Sequence, residues 1–594
     1  MTETGSIEAL DPFDRRVVTG ATGVLGALNA VGLLDASDVQ VARALGRLGA
    51  EDDEAVLLAV ALTVRAVRLG SSCVDLEHAV ADLRVEAPDL ALPAYTDDPA
   101  AWRARVAASP LGSGPDRVVI VEEPLLHLPR YHALEVSLCE RLAARLGATP
   151  PTVDEALLDA DLSRLFDGPT YAEQREAAVR AAHTWTSMFT GGPGTGKTTT
   201  IARLLVALRS QQSARDAGRP ISVGLAAPTG KAAARVRESL AREAASPVFT
   251  ADERAWLEGL PAVTLHRLLG ARPDHRTAFR HHAGHALPYD VVVVDETSMV
   301  SLLMMERLVQ ATPAACRLVL VGDPDQLASV EAGAVLRDVV RGVGETGGCV
   351  THLTRGHRFD GAVAELAEAV VAGDSAHALD VLTGGHDHVR LVDPDQVASV
   401  IDDRPRAQAL ALARASADGD AVAAHAALAE HRLLCAHREG PAGVAFWNDQ
   451  LERVVRRFPD PRRPWFAGRP VLVTRNDPSL GVNNGDVGVV VEEDGRLVAR
   501  LDTGQSVAAA RLASAQSAYA STVHRSQGSE FTHVTLLLPD EDSLVLTREL
   551  LYTAVTRTRG TLTVVGTPEV VRHAIDRPTS RASGVERRLR TALG

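Results

Sequence analysis

Residues 190–200 read Thr190-Gly191-Gly192-Pro193-Gly194-Thr195-Gly196-Lys197-Thr198-Thr199-Thr200. A strand-like run, Ser187–Thr190, comes directly before this stretch, and a helical pattern, Thr199–Arg209, follows it. Residues 191–198 match G-x-x-x-x-G-K-S/T, the phosphate-binding loop, in the strand–loop–helix context that this motif requires. Glycines let backbone N–H groups face phosphate oxygens, and the N-terminus of the following helix favours an anion. The stretch therefore predicts an α/β fold that binds a nucleoside triphosphate.

Lysine is nearly absent from the 594-residue chain: of its 62 basic residues, only Lys197 and Lys231 are lysines. Lysine carries a compact ammonium on a flexible stem, whereas arginine is a planar fork, so a lysine reaches readily into a phosphate cradle. We predict that Lys197 contacts the β and γ phosphates of ATP and that the Thr198 hydroxyl binds Mg²⁺. The loop residues predicted to hold ATP are Gly191, Gly192, Pro193, Gly194, Thr195, Gly196, Lys197, Thr198 and Thr199.

The composition indicates a multidomain globular protein. No apolar run approaches the ~20 residues needed to cross a bilayer, and residues 1–10 lack the apolar core of a signal peptide. The five cysteines form no Cys-x-x-Cys pair, so neither a zinc site nor a disulfide framework is predicted. We therefore predict a cytoplasmic protein with no membrane partner. The net charge of -14 argues against coating DNA through bulk charge, but it allows a local basic channel.

From about residue 166, short β-rich runs alternate with helical patterns. The first runs are Ser187–Thr190, Val223–Ala227, Val291–Val294 and Leu318–Val321, and a second set is Leu433–Ala436, Val471–Thr474, Val534–Leu538 and Leu562–Val565. This alternation predicts βαβ units and parallel sheets, with functional loops at the carboxyl ends of the strands. We expect an α/β fold with two parallel-sheet domains, residues 166–348 and residues 349–475 with 513–594.

Two parts of the chain differ from this pattern. Residues 1–165 carry Ala, Leu and Arg at helical spacing, with amphipathic patterns at Glu54–Arg68 and Arg130–Leu146, and predict a helical N-terminal docking domain. Residues 476–512 carry the turn signal Asn483-Asn484-Gly485-Asp486, followed by short strand patterns. We predict a small β-barrel-like insertion there, with strands at Val487–Val491, Leu497–Leu501 and Gln505–Ala509.

Polar residues follow two of the predicted strands. Asp295 and Glu296 come directly after Val291–Val294, and Gln326 lies in the loop after Leu318–Val321. Phosphoryl transfer needs a charge clamp and a positioned nucleophile, so we predict that Asp295 holds Mg²⁺ and that Glu296 polarises the attacking water. Gln326 is predicted to sense the γ-phosphate. The alternative for the two acids is that they cap the following helix.

Two arginines in the second half are candidates for stabilising the transition state. Arg358 lies in Leu353–Phe359, and Arg557 lies in Tyr552–Arg559. An arginine supplied by a facing domain stabilises the charge that develops on a transferred phosphoryl group. Each arginine taken alone is better explained as part of a surface salt bridge.

Taken together, these segments resemble superfamily 1 DNA helicases, and among them the RecD family, the alpha subunits of exodeoxyribonuclease V. The segments that follow the motif order of superfamily 1 are Gly191–Thr198, Ala227–Val236, Asp295–Met299, Gly322–Leu327, Arg358, Ser521–Phe531 and Leu551–Arg559. The closer likeness to RecD rests on Thr190–Thr200, Thr264–Gly270 and Thr522–Phe531, and it covers about residues 120–570. The resemblance implies two RecA-like motor domains and an SH3-like insertion at 476–512.

The same resemblance implies an ATP-dependent 5′ to 3′ DNA helicase that processes double-strand DNA ends for recombination and repair. Its implied partners are single-stranded DNA at duplex ends and RecB-like and RecC-like subunits, with residues 128–135 ending the domain that docks on RecC. By likeness, Gln174 recognises adenine, and Gly528 and Glu530 lie at the nucleotide, with Glu530 at the ribose. Arg525 stands where many relatives have lysine and is expected to keep a DNA-phosphate contact.

To move along DNA, the protein needs residues that bind the strand on the surface formed by both motor domains. Hydroxyl, imidazole and amide groups bind phosphates without reading sequence. The predicted DNA contacts are Thr229, Lys231, Thr264 and His266 in the first domain and Asn476, Thr522, His524 and Ser526 in the second. Each of them could instead be a helix cap or a turn residue.

Three other functions are alternatives to a helicase motor. An ATP-switched regulatory or assembly subunit is disfavoured by the complete set of hydrolysis residues, and a stand-alone repair helicase remains an alternative. A nuclease of the usual recombination type needs Glu-x-Lys, but Thr195 and Thr229 precede the two lysines at that spacing, so we predict no nuclease site in this chain. A metal site at His281, His282 and His285 lacks an evident fourth ligand.

Overall fold

The segment before residue 128 is mainly helical, and it also holds a small antiparallel sheet of strand order β1-β3-β2 that the sequence did not predict. The computed structural model describes residues 10–11, 13–272, 275–344, 348–354, 361–456, 464–539, 543 and 545–594. The elements of this segment are α1 (Gly23–Ala30), α2 (Ala36–Gly49), α3 (Glu54–Arg68), β1 (Cys73–Asp75), α4 (Leu76–Glu86), α5 (Pro99–Ala108), β2 (Ile120–Glu122) and β3 (Leu125–His127). Trp102 is buried in their shared core and donates a hydrogen bond from Nε1 to the Ala55 carbonyl.

The first parallel sheet contains six strands in the order β11-β4-β10-β9-β5-β6. Helices α6 (Pro129–Leu146) and α7 (Glu155–Leu165) lead into it. The elements that follow are α8 (Ala172–Ala182), β4 (Thr186–Thr190), α9 (Lys197–Arg215), β5 (Val223–Ala227), α10 (Gly230–Ala244), α11 (Ala251–Glu258), β6 (Ala262–Thr264), α12 (Leu265–Leu269), β7 (Ala271–Arg272), β8 (His275–Phe279), β9 (Val291–Val294), α13 (Leu302–Ala311), β10 (Arg317–Gly322), α14 (Val335–Val343) and β11 (Val350–His352). Strand β11 pairs with β4, so this sheet extends past residue 348, where the sequence placed the boundary.

Strand β9 shows why this sequence forms a central strand. Val291 and Val293 pack in the core on one side of the sheet, and Val292 and Val294 pack in the core on the other side. A parallel strand that is covered on both faces is expected to be a continuous apolar run. Strand β10 pairs with both β9 and β4, with Leu320 opposite Val294 and Gly322 opposite Thr190. The loops after β4, β9 and β10 therefore emerge side by side at one edge.

The second parallel sheet contains five strands in the order β12-β21-β20-β13-β19. Its elements, with those of a third sheet between them, are α15 (Ala362–Ala372), α16 (Ser375–Thr383), β12 (Val389–Val392), α17 (Val397–Asp402), α18 (Arg404–Ala417), α19 (Ala421–Glu430), β13 (His431–Cys435), α20 (Val444–Val455), β14 (Pro470–Val473), β15 (Val487–Glu493), β16 (Arg496–Leu501), β17 (Ser506–Ala508), β18 (Ala515–Ser517), β19 (Ala520–Thr522), α21 (Val523–Ser526), β20 (Phe531–Leu537), α22 (Arg548–Val555), β21 (Thr558–Val565), α23 (Pro568–Asp576) and α24 (Val585–Leu593). None of the helices in the described part of the chain is long and apolar enough to span a bilayer.

The third sheet corrects one prediction. The run Val471–Thr474 was expected in the second parallel sheet, but β14 pairs antiparallel with β15 and β18. The sheet has the order β17-β16-β15-β14-β18 and extends from Pro470 to Ser517, beyond the predicted limits of 476–512. An apolar run of four residues does not state its partner strand, and the cross-strand neighbours of β14 lie more than a dozen residues away in sequence.

The C-terminal helix α24 returns to the start of the protein and packs against α6 and α14. Gly342 allows the close approach, because a Cβ there would lie 2.9 Å from the Glu586 carbonyl oxygen and from the Leu589 Cβ. Just before α24, the Gly584 backbone N–H donates to the buried Glu135 carboxylate at 3.0 Å. The Ser72 hydroxyl also donates to this carboxylate, so the N-terminal segment, α6 and the C-terminal segment meet around it.

Candidate nucleotide and nucleic-acid sites

The loop after β4 has the backbone of a phosphate cradle. Gly194 and Gly196 have φ values of 85° and 83°, which favour glycine. A Cβ on Gly191 would lie 2.3 Å from the Leu353 carbonyl oxygen, so no larger residue fits there. The Lys197 Nζ donates to the carbonyl oxygens of Gly191 and Gly192 at 2.6 and 2.7 Å. The loop carbonyls therefore hold the Lys197 ammonium at the site where the phosphates are expected to bind.

The loop after β9 brings two acids to this cradle. Burial, and then the neighbouring Glu296 carboxylate, raise the pKa of Asp295 to about 6. Asp295 Oδ1 accepts a hydrogen bond from the Glu296 N–H at 2.8 Å. Glu296 has a φ of 52°, an uncommon conformation for a residue with a side chain. Thr198, Asp295 and Glu296 line the same cavity, and their hydroxyl and carboxylate oxygens are suitable ligands for Mg²⁺.

The loop after β10 adds Asp323 and Gln326. Asp323 is buried, and burial raises the pKa of its carboxyl. The Gln326 side chain donates from Nε2 to Asp323 Oδ2 at 3.0 Å. Its Oε1 is buried without a protein partner among the described residues. This oxygen is therefore an acceptor available to a small donor in the site.

The second sheet domain closes the site from the opposite side. Arg557 is buried, and burial lowers the pKa of its guanidinium. The guanidinium donates to the carbonyl oxygens of Thr553 and Ser529 at 3.1 and 3.2 Å. The Tyr552 hydroxyl donates to Asp323 Oδ2 at 2.9 Å, which joins α22 to the loop after β10. Arg358, the other predicted arginine, lies outside the described residues.

These groups line one cavity of about 370 Å³, within the range of nucleotide-sized pockets. Both parallel-sheet domains contribute to its wall. The lining residues are Pro193, Gly194, Gly196, Lys197, Thr198, Thr199, Ala232, Arg235, Val236, Ser239, Arg242, Glu243, Asp295, Glu296, Asp323, Gln326, Glu530 and Arg557.

Two of the residues assigned by likeness have clear positions. Glu530 lines the cavity and forms ion pairs with Arg235 of α10 and with Arg559 of its own domain. Gln174 is buried beneath the phosphate loop, where its Nε2 donates to the Thr195 carbonyl at 3.2 Å. Gln174 does not line the cavity, although its Oε1 is buried and has no protein partner among the described residues.

A second cavity of about 750 Å³ lies between the same two domains and the third sheet. Five of the eight predicted DNA contacts line it: Thr229, Lys231, His266, Thr522 and His524. Thr229 and Thr522 also cap helices, each accepting a hydrogen bond from a backbone N–H of the helix that it precedes. The two interpretations of these threonines, cap and contact, are therefore compatible.

Three predicted contacts do not line this cavity. Thr264 caps α12, Asn476 accepts a hydrogen bond from the Asn484 N–H at 2.7 Å, and the buried Ser526 donates to the Val523 carbonyl at 2.7 Å. Spacing alone could not separate these local bonds from exposed contacts. Lys231 does face the cavity, and its Nζ lies 3.9 Å from Asp502 Oδ2 of the third sheet domain.

Three family models match parts of the chain. The model described as "RecBCD enzyme subunit RecD, N-terminal domain" matches residues 30–126, the "AAA domain" matches 174–332, and the "UvrD-like helicase C-terminal domain" matches 517–565. The curated protein "RecBCD enzyme subunit RecD" of Mycolicibacterium smegmatis is 48% identical over 565 residues, which are 94% of this chain and 98% of that one. The chain belongs to the RecD family.

Other relatives agree with membership of the RecD family. RecD of Mycobacterium tuberculosis strain H37Rv is 46% identical over 96% of this chain and 97% of its own length. The ATP-dependent RecD2 DNA helicase of Deinococcus radiodurans is 30% identical over 74% of this chain and 54% of its own length. A solved structure of Bacteroides Pif1 helicase with ADP-AlF3 and ssDNA covers 68% of this chain and 94% of that one at 18% identity, with a TM-score of 0.39. That overall superposition is loose, so family membership rests on the sequence relatives.

Sequence reasoning missed two polar residues that line the RecD nucleotide cavity, and two others that join the domains around it. Asp323 lies in the motif Gly322–Leu327 and Arg235 lies in the motif Ala227–Val236, but neither was predicted as a site residue. Gln527 donates from Nε2 to the Leu327 carbonyl at 2.7 Å, and Thr553 accepts from the Leu327 N–H at 2.9 Å. These contacts join residues about 200 positions apart, so no local pattern announces them. The available signals were that Arg235 lies within the motif Ala227–Val236 and one helical turn after Lys231.

Proposed function

We propose that this chain is an ATP-driven 5′ to 3′ DNA helicase motor that works with RecB-like and RecC-like subunits at double-strand DNA ends. The observation that carries the proposal is that one nucleotide-sized cavity is lined by two parallel-sheet domains. The Lys197 loop comes from the first, and Arg557 and Glu530 come from the second. A triphosphate in this cavity would touch both domains, so its hydrolysis would change how they are held together.

Each residue of the cavity has a chemical task in this proposal. Lys197 neutralises the β and γ phosphates, and Arg557 stabilises the charge that develops on the transferred phosphoryl group. Glu296 takes the proton of the attacking water, while Gln326 orients that water through its unpaired Oε1. Mg²⁺ bound by Thr198 and Asp295 would supply additional positive charge at the phosphates. Gln174 and Glu530 are proposed to contact the adenine and the ribose.

The larger cavity is the proposed path of single-stranded DNA. It places Thr229, Lys231 and His266 of the first domain opposite Thr522 and His524 of the second. Hydroxyl and imidazole groups suit sequence-independent contacts with phosphates. We propose that the third sheet is an SH3-like domain that covers this path, and that the parallel sheets are RecA-like.

Proposals about assembly rest on the family. The relatives are named as subunits of the RecBCD enzyme, and we propose the same heterotrimer here, in the cytoplasm, with cleavage of DNA left to another subunit. Co-purification with two larger subunits would support this assembly. A pure preparation of the chain that digests DNA with magnesium would contradict the absence of a nuclease site.

The nucleotide assignment is tested with Lys197→Ala. We expect DNA-stimulated ATP hydrolysis to be abolished, because no other lysine can reach the phosphates. Unimpaired turnover in this variant would contradict the assignment.

Glu296→Gln in the assembled complex separates a motor from an ATP-switched assembly subunit. A motor loses the unwinding that depends on this chain while ATP still binds. An assembly switch leaves unwinding intact.

A further inference from the structure

Helix α10 touches both cavities. Lys231, in its first turn, lines the large cavity proposed for DNA, and Arg235, one turn later, lines the nucleotide cavity. Residues four apart lie on the same face of a helix. One helical turn therefore separates Lys231, at the proposed DNA path, from Arg235, at the nucleotide cavity.

The second domain presents a matching segment to this face. Thr522 and Gln527 line the large cavity, whereas Glu530 lines the nucleotide cavity. Gly528 lies against α10, because a Cβ added there would be 3.8 Å from the Cβ of Ala232. Residues 528–530 thus lie beside the first turns of α10, and the segment 522–530 lines both cavities.

The Arg235–Glu530 ion pair joins these two segments across the cleft. Only 4% of the Glu530 side chain is exposed, compared with 27% of Arg235. Such a shielded charge pair is screened by salt less than a surface pair. Arg559 also binds Glu530, but it comes from the same domain as Glu530 and is 55% exposed. Of these two described partners, Arg235 is therefore the one that can transmit a movement between domains.

We propose that Arg235 is a positioning residue that couples DNA binding to ATP hydrolysis. The inference deepens the proposed function and rests on it. When DNA shifts the start of α10, Arg235 moves with it and carries Glu530 and its neighbours toward or away from the nucleotide. Arg557 belongs to the same assembly, since its guanidinium donates to the carbonyl of Ser529, the residue before Glu530.

The test measures the coupling between two ligands in the full-length chain. The dissociation constant for a fluorescent single-stranded oligonucleotide is determined with and without ADP-aluminium fluoride, and the ratio of the two constants is the coupling factor. Coupling factors between linked sites are typically about 5 to 150. We expect Arg235→Gln to bring the factor to within about twofold of unity. Arg559→Gln, which removes a described partner of the same carboxylate from within its own domain, should keep the wild-type factor.

A conservative pair of variants guards against loss of folding. Arg235→Lys and Arg559→Lys keep the charge but remove the planar fork that a carboxylate prefers. We expect the first to lower the coupling factor and the second to leave it unchanged. An Arg235 variant that couples as well as the wild type overturns this inference alone. A wild-type chain in which ssDNA neither binds nor stimulates ATP turnover overturns the proposed function as well.

Discussion

Glu296 combines an unusual backbone conformation with a predicted catalytic task. Its φ of 52° lies in the left-handed region, which costs a residue with a side chain about 1–3 kcal/mol. The conformation directly follows the buried strand β9, and the 3₁₀ turn Thr297–Met299 comes next. Glu296 in this conformation lines the cavity that Arg557 also lines.

Arg557 is expected to act on the chemical step. Arg557→Ala should lower kcat on the order of 10³-fold, because a facing arginine stabilises the transition state rather than the ground state. The KM for ATP should change much less. Steady-state ATP hydrolysis at saturating single-stranded DNA measures both quantities.

A lysine at position 557 is the matched variant for this prediction. Arg557→Lys keeps the charge but loses the two hydrogen bonds to the Thr553 and Ser529 carbonyls, so little of the lost kcat should return. An alanine variant with near wild-type kcat would show that Arg557 is a structural residue only.

We expect Lys231 to contact a DNA phosphate. The Asp502 carboxylate lies near the Lys231 ammonium and would compete with that phosphate for it. Lys231→Ala should weaken single-stranded DNA binding and lower the slope of log K against log salt by about 0.7. Asp502→Asn should tighten binding, because it removes the carboxylate that lies 3.9 Å from the ammonium. Fluorescence titrations at several salt concentrations measure both effects. Opposite signs for the two variants are required, and weaker binding by Asp502→Asn would contradict the competition.

At the scale of elements, the central strands were predictable because each carries its own signal. Val223–Ala227 and Val291–Val294 were predicted with the bounds that the structure has, and α3 matches the predicted helix Glu54–Arg68. Buried parallel strands require continuous apolar runs, and the loop glycines fix where β4 ends. Strand β14 carries the same kind of run, yet its partners are β15 and β18. Pairing depends on residues distant in sequence, and the run itself does not encode it.

The packing of α24 on α14 gives a prediction for one glycine. Gly342→Ala should loosen α24, because the added Cβ would lie 2.9 Å from both the Glu586 carbonyl oxygen and the Leu589 Cβ. Overpacking of this kind typically costs about 1–3 kcal/mol, which exceeds the gain in helix propensity of about 1 kcal/mol. Limited trypsin digestion should release the C-terminal residues faster than in the wild type.

Gly147→Ala is the control for this experiment. Gly147 has a φ of -83°, and a Cβ there would meet only the Ala143 carbonyl oxygen, at 3.4 Å. The control should resist trypsin like the wild type. Equal digestion rates for the two alanine variants would show that α24 does not depend on the close approach at Gly342.

At the scale of the whole molecule, the C-terminus is fastened by a buried polar cluster. Glu135 accepts hydrogen bonds from Ser72, Gly584 and His127, and Arg588 lies beside it. Cys73, His127 and Glu135 offer ligand atoms within 4.8 Å of one another. The carboxylate oxygens already accept several donors, so the cluster is explained as a junction between the N-terminal segment and the C-terminus without a metal ion.

Asp338 makes this junction sensitive to pH. Burial raises the pKa of its carboxyl to about 7, the Ser583 hydroxyl lowers it, and Glu135, Arg337 and Glu586 also face it. Because the folded pKa lies above the ordinary value of 3.8, the folded state holds the proton more tightly. The contribution of Asp338 to stability therefore falls as the pH rises from about 4 to about 7 and stays low above that.

Asp338→Asn should remove this dependence. We expect the variant to gain stability over the wild type as the pH rises from 5 to 8, by a few kcal/mol at most. Melting temperatures of both proteins across this range measure the difference. A constant difference between the two proteins at all pH values would contradict the burial of an ionisable carboxyl at this position.

The nucleotide site was only half predictable at this scale. The Lys197 loop and Asp295 follow strands and are fixed by local sequence, so their meeting at one edge follows from parallel pairing. Arg235 meets Glu530, and Tyr552 meets Asp323, only through the arrangement of the two domains. Local sequence patterns do not predict how the two domains are arranged.

If ATP binding and hydrolysis close and open the cleft, the distance between the two parallel-sheet domains must change with the bound nucleotide. Glu258→Cys on α11 and Val422→Cys on α19 provide exposed labelling sites on the first and second domains, while the five native cysteines are all buried. Energy transfer between two fluorophores at these positions should change when ADP-aluminium fluoride binds and return when ADP replaces it. An unchanged transfer efficiency in a chain that hydrolyses ATP would contradict a cleft that opens and closes with the nucleotide.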